Sequence, residues 1–207
     1  MGLLGIPEEQ LTQPVKLALS VLMEKLEDQT HESARLRESL TEMEQLVDVD
    51  CLAPVPNRRA FLRRLNWAIA MHKRYGHPSC VLFFDLNGFK EVNDGYGHAA
   101  GDEAIRHVSQ LLKSGLRDSD FMARLGGDEF AIIMYYAKQD DATRRGNEIV
   151  ANIAAKPFIF NGNSIALSSA FGVYELRKGD DPESALSQAD TAMYMDKRRS
   201  KPQLASA

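Results

Sequence analysis

The chain of 207 residues is poor in the features that announce a compartment or a macromolecular partner. It has two cysteines, Cys51 and Cys80, without metal-type spacing. That argues against a disulfide framework or a cysteine-based zinc site and makes a reduced, cytoplasmic setting the expected one. Its apolar runs, such as Cys80–Phe84 and Phe130–Met134, are far too short to cross a bilayer, so no membrane insertion is expected. Met1-Gly2-Leu3-Leu4-Gly5 has no positive region or cleavage site, and Ile6 stands where a myristoylation signal needs Ser or Thr. There is no basic excess: 25 Lys and Arg oppose 29 Asp and Glu, a formal charge of −4. A general nucleic-acid binder normally carries a basic face, so nucleic acid is not an expected partner. No internal repeat or low-complexity tract occurs. What is present is 44% hydrophobic residues, enough for the core of one domain with an appendage.

The appendage comes first. From Val15, apolar residues step by four and three through Leu19, Leu22, Leu26, Leu36, Leu40, Met43 and Val47, interrupted at Gln29 and Ser33. This seven-residue period predicts a long coiled-coil helix over residues 1–47, with Pro14 in its first turn. A helix packed on its own domain is the other reading, but it usually carries a wider stripe. Pro54 and Pro56 end the pattern, and the domain of residues 48–207 follows. Asn57 reads as the N-cap of a helix through Phe61, Leu65, Ile69 and His72. A strand over Val81–Asp85 is expected next, then a polar, glycine-rich loop reaching Gly101. A helix through Ile105, Val108, Leu111 and Leu112 should precede a hairpin of Phe121–Leu125 and Phe130–Met134. Beyond it lie a helix to Ala155, a strand–turn–strand unit around Asn161-Gly162 with its second strand at Ile165–Leu167, and a helix over Pro182–Arg199. The mixture predicts an α+β fold with a central mixed, mainly antiparallel sheet flanked by helices.

Chemistry concentrates at two places. Asp85 closes an apolar strand, where a carboxylate is costly unless a cation meets it. Lys90 adds a positive charge to the turn that follows, whose N–H groups suit phosphate oxygens. The hairpin tip Gly126-Gly127-Asp128-Glu129 offers a second carboxylate pair beside backbone that a ligand can approach closely. Carboxylates from neighbouring strands are a usual way to hold Mg²⁺, and such ions suit nucleotidyl transfer, one activating the hydroxyl and one steadying pyrophosphate. Read alone, the pair also fits a solvated hairpin tip, and Lys197 with Lys201 a solvated basic helix end. His98 alone reads as a structural hydrogen-bonder, and Arg117-Asp118-Ser119-Asp120 as a turn.

Gly126-Gly127-Asp128-Glu129-Phe130 follows a spaced set: Asp85, Phe89-Lys90, Asn93-Asp94, Tyr96-Gly97-His98 and Gly101-Asp102. With Pro56-Asn57-Arg58-Arg59 before and Ala189-Asp190, Ala192-Met193-Tyr194 and Lys197 after, the pattern resembles the GGDEF family of diguanylate cyclases over residues 48–201. The resemblance implies a palm-like fold and a homodimer, paired through the N-terminal helix, that condenses two GTP into cyclic di-GMP and two pyrophosphates. It implies two Mg²⁺ or Mn²⁺ per site, held by Asp85, the Leu86 carbonyl and Asp128, with Glu129 binding metal or deprotonating the hydroxyl. Lys90, Lys197 and Lys201 would meet phosphates, with Phe89, Gly126 and Gly127 around the nucleotide. Asn93 and Asp102 would read guanine; a carboxylate accepts from guanine N1–H, where adenine has no donor. Arg117 and Asp120 fit the family's inhibitory site, which binds product, and a forked guanidinium suits that task.

Two departures stand out. Ala53-Pro54 replaces the family's usual Thr-Gly at the start of the domain, and Ser200-Lys201-Pro202 replaces Gly-Arg-Asn near its end. The first bears on how the helix joins the domain. The second weakens a phosphate contact, since Lys cannot clamp bidentately. The rival function is a silent module that binds GTP or cyclic di-GMP; the intact Asp85, Asp128 and Glu129 speak against it.

Overall fold

A computed structural model describes residues 12–46 and 48–200, with side chains described at 12–37 and 48–198. The chain divides into two compact units between Val47 and Asp48. The first holds one helix, α1 (Gln13–Leu46), of 34 residues. At a rise of 1.5 Å per residue it is about 50 Å long. Pro14 occupies its first turn, where a missing N–H costs nothing. Of the seam residues, Val15, Leu22, Leu26 and Leu36 are exposed. The side chains of Leu40 and Met43, and all of Val47, lie outside the described residues.

The second unit is built on a four-stranded sheet in the order β2-β3-β1-β6. Its strands are β1 (Ser79–Asn87), β2 (Phe121–Gly126), β3 (Glu129–Tyr135) and β6 (Ser168–Glu175). β4 (Phe158–Phe160) and β5 (Asn163–Ile165) form a separate hairpin. All ladders are antiparallel; the parallel element among the described residues is one isolated bridge, Asn57 with Arg124. The helices are α2 (Arg58–Tyr75), α3 (Phe89–Tyr96), α4 (His98–Ser114), α5 (Gln139–Ala155) and α6 (Pro182–Ser200).

The period-two alternation of the strands sorts the core into two faces. Leu82, Phe84 and Leu86 of β1, with Phe130 and Ile132 of β3, face Ile105, Val108 and Leu112 of α4 and Ile149 and Ile153 of α5. Val81 and Phe83, with Ala131 and Ile133, face Phe61 and Leu65 of α2 and Ala189 and Met193 of α6. Cys80 sits inside the first cluster, and burial pushes its thiol up to about 12. Cys51 is exposed.

Local signals account for several boundaries. The Asn57 side chain accepts from the Ala60 N–H at 3.0 Å, as an N-cap should, and Gly76 ends α2 in the left-handed region. Asn161 and Gly162 both have positive φ, 48° and 81°, the twist a two-residue hairpin turn requires.

Two expectations fail, and one strand carries no sequence signal. The stretch after β1 is not a loop to Gly101: it forms α3 and the start of α4. Gly88 (φ 71°) and Gly97 (φ 85°) supply its turns, while Val92 is buried and Phe89 packs on the core. The second strand of the small hairpin is Asn163–Ile165, earlier than Ile165–Leu167. Ser168–Glu175, which the sequence pattern does not mark as a strand, is β6 and pairs with the central strand β1.

Candidate active site

The site lies where the apolar face of the sheet runs out. Asp85 follows Val81 and Phe83 on the α2/α6 face, at the end that α2 and α6 do not fill with apolar side chains. Across the ladder its Cα partner is Glu129, so both side chains leave the sheet on the same side. The Ser169 hydroxyl donates to the Asp85 carbonyl at 3.0 Å, supporting the strand from the other neighbour. Leu86 buries its side chain on the opposite face, which leaves only its carbonyl as a possible ligand.

The hairpin turn between β2 and β3 carries Asp128. It needs its glycines, since φ is 147° at Gly126 and 51° at Gly127. Both carboxyls beside it are held above the usual carboxylate range. At Asp128 burial is the main cause and the charge of Asp85 adds to it, with Lys197 and Arg124 opposing. At Glu129 burial again leads, followed by the charges of Asp190, Asp85 and Asp128, with Arg58 opposing. The Lys197 ammonium, reaching down from α6, pairs directly with Asp85. A cationic side chain thus meets the Asp85 carboxylate.

The turn is also clamped from outside. Arg124 donates through Nε and Nη2 to the Gly127 carbonyl at 3.0 and 2.7 Å, and through Nη1 to Asp50 Oδ1 at 2.8 Å. Asp50 Oδ1 also accepts the N–H groups of Leu52 and Ala53 at 3.0 and 2.8 Å. The Arg124 N–H donates to the Pro56 carbonyl at 2.9 Å. The unusual Ala53-Pro54 stretch is therefore accommodated in a loop organised around one carboxylate.

On the other side of β1, Asn93 of α3 lies against Gly101 of α4, and Asp102 is exposed on the adjoining position. Lys90 stands exposed on α3. Phe89 is partly buried against the core, where it anchors the start of α3. Lys201 lies outside the described residues. Arg117 and Asp120 form a separate feature before β2: the Arg117 N–H donates to Asp120 Oδ2 at 3.1 Å, and the Asp120 N–H to the Arg117 carbonyl at 3.0 Å. Asp120 Oδ1 is buried without a hydrogen-bond partner, and burial raises the pKa of this carboxyl. Arg117 shares a cavity of about 280 Å³ with Arg144 and Arg145 of α5. Sequence reasoning assigned no role to Arg144, Arg145, Asp50, Asp190 or Arg124; the first four reach these places from elements distant in the chain, and Arg124 from the strand that enters the turn.

The donor set suits a hard cation that is held in part by its substrate. Among the described residues no group of three or more His, Cys, Asp or Glu side chains is close enough together to hold a metal by itself. Asp85, Asp128 and a main-chain carbonyl could offer oxygen ligands only, which would leave further positions to water and phosphate, a donor set that suits a divalent metal ion.

Comparison with known proteins gives the same direction. The family model described as diguanylate cyclase, GGDEF domain, matches residues 47–203. The diguanylate cyclase TpbB of Pseudomonas aeruginosa is 33% identical over 200 residues, 95% of this chain and 45% of that protein. The diguanylate cyclase DosC of Escherichia coli is 38% identical over 154 residues, 74% of this chain and 34% of that one. The chain thus spans less than half the length of these curated relatives. The crystal structure of the coiled coil and GGDEF domain of DgcB from Caulobacter crescentus in complex with c-di-GMP matches with a TM-score of 0.71 and 30% identity, covering 87% of this chain and 96% of that one. With the glycine turn, the paired strand-end carboxylates and a family match across most of its length, the chain belongs to the GGDEF family of diguanylate cyclase domains.

Proposed function

We propose that the domain is an active diguanylate cyclase that joins two GTP molecules into c-di-GMP and two pyrophosphates. The observation that carries this reading is the cross-strand pairing of Asp85 with Glu129 beside a turn of two left-handed glycines. Asp85, the Leu86 carbonyl and Asp128 would hold Mg²⁺ or Mn²⁺, two per site. Bound there, the ions supply Lewis-acid activation of the hydroxyl and neutralise the departing pyrophosphate. Each 3′-oxygen attacks the α-phosphorus of the other GTP, the bond to the β-phosphate breaks, and Glu129 takes part at the hydroxyl as metal ligand or proton acceptor. The Gly126-Gly127 turn lets the triphosphate approach the backbone. Lys90 and Lys197 meet phosphate oxygens, Lys197 exchanging Asp85 for substrate, with Lys201 beside it. Asn93 and Asp102 read the guanine. Incubation of the purified chain with GTP and Mg²⁺ tests this: c-di-GMP and pyrophosphate should form in a 1:2 ratio, and unconsumed GTP would overturn the reading.

One domain holds one nucleotide, so the reaction needs two. The exposed seam of α1 supports pairing of two copies, which raises the local concentration of the second site. Deleting residues 1–47 is expected to lower specific activity roughly 10-fold or more at micromolar protein and far less at high concentration. Equal rates at every dilution would count against the dimerising helix.

Arg117 and Asp120 are proposed as the product-inhibitory site, with the Asp120 carboxylate as an acceptor for guanine and the Arg117 fork for phosphate. Arg117→Ala should straighten a progress curve that otherwise bends as c-di-GMP accumulates. An unchanged curve removes this site from the account. No described helix is long and apolar enough to cross a membrane.

A further inference from the structure

We propose that Gly101 is a positioning residue for base recognition: the lack of a side chain there lets the Asn93 carboxamide lie where it meets the base. This rests on the reading that Asn93 and Asp102 contact guanine. A Cβ at position 101 would stand 2.0 Å from Asn93 Oδ1, 2.9 Å from its Cγ and 3.3 Å from its Nδ2. The three nearest atoms all belong to that one amide. No backbone requirement explains the glycine. It lies within α4 and is buried, and its backbone is not among the positive-φ positions. Glycine is the poorest helix former after proline, so alanine at this place would favour the helix.

Asn93 is held from the other side as well. The Gly97 N–H donates to the Asn93 carbonyl at 2.9 Å, and Gly97, at φ 85°, turns α3 directly into α4. The backbone of Asn93 is therefore fixed while the end of its side chain rests on Gly101, one residue before Asp102. The two groups that would face the base are set against the same helical turn. The closest atoms a methyl group at 101 meets are the tip of a short, rotatable side chain. The tip swings aside at little cost to folding, and the amide leaves the position from which it reads the base.

The test is equilibrium binding by the full chain, with Mg²⁺, of three triphosphates in 3′-deoxy form, which bind without reacting. These are the guanine nucleotide, the hypoxanthine nucleotide that lacks the exocyclic amine, and the 2-aminopurine nucleotide that lacks both O6 and the N1–H. Wild type, Gly101→Ala and Asn93→Ala are compared, each with its melting temperature. Gly101→Ala should melt at or above wild type and lose about 10-fold of its preference for guanine over one of the two analogues, as Asn93→Ala does. A lower melting temperature for Gly101→Ala overturns the proposal, because the methyl group would then strike the framework. Full preference in Gly101→Ala with preference lost in Asn93→Ala also overturns it and leaves base reading by Asn93 standing. Full preference in both variants, or no binding by wild type, overturns the reading of the base site itself.

Discussion

Asp128→Asn is expected to cut pyrophosphate release from GTP by at least about 100-fold, since even residues that merely support metal ligands cost 10- to 100-fold when changed. The same substitution should stabilise the ligand-free protein. The folded state holds the Asp128 carboxyl above the usual range, chiefly through burial and then through the charge of Asp85. A carboxyl whose pKa is raised on folding binds its proton more tightly in the folded chain than in the unfolded one. Stability therefore falls as pH rises from the ordinary carboxylate value through the raised one, and at neutral pH the whole penalty is present. Asparagine carries no charge and escapes it. In chelator at pH 7 the variant should melt above wild type, and the difference should shrink as the pH drops into the carboxylate range. Turnover retained by the variant refutes the metal role of Asp128. Turnover lost with a lowered melting temperature refutes the electrostatic account of the turn.

Gly172→Ala should be the most damaging small substitution in the domain. Gly172 lies mid-strand in β6, opposite Phe83, where α6 crosses the sheet. An added Cβ would stand 2.1 Å from the Met193 nitrogen, 2.3 Å from the Ala189 oxygen and 2.7 Å from the Ala192 carbonyl carbon. These are backbone atoms of one helix, so no rotamer change relieves them and α6 must lift. Overpacking of this kind costs about 1–3 kcal/mol in cores that relax through side chains. The expected loss here is about 3 kcal/mol or more, read as a lower urea midpoint at unchanged slope. Since α6 carries Lys197 onto Asp85, the nucleotide site should weaken with it. Gly146→Ala is the comparison, because there the obstruction is the Phe171 ring, which can turn. Equal losses at 146 and 172 would contradict this account of α6.

The contrast between these glycines also explains which parts of the architecture could be read from the chain. Asn57, the apolar run of β1 and the Asn161-Gly162 turn act through neighbours in sequence, and each appears where expected. α3 does not announce itself, because Gly88, Asn93, Asp94, Gly95 and Gly97 have loop chemistry. It is helical because Val92 and Phe89 pack into the core, which propensity does not register. β6 is hidden by Gly172 and its serines. Yet a glycine inside a strand is itself a sign of close backbone approach, and that is what α6 makes of it. The carboxylates and lysines of the site stand in contiguous motifs. Their partners do not: Asp50 and Arg124 are 74 residues apart, and Lys197 and Asp85 are 112.

That long-range link between Asp50 and Arg124 has a mechanical consequence. The guanidinium is a flat, rigid group, and here it is bolted at one edge to the first loop of the domain and at the other to the oxygen of Gly127. Tension applied at that first loop would reach the hinge that carries Asp128 through this side chain, alongside the Arg124 N–H bond to Pro56, without having to run the length of the sheet.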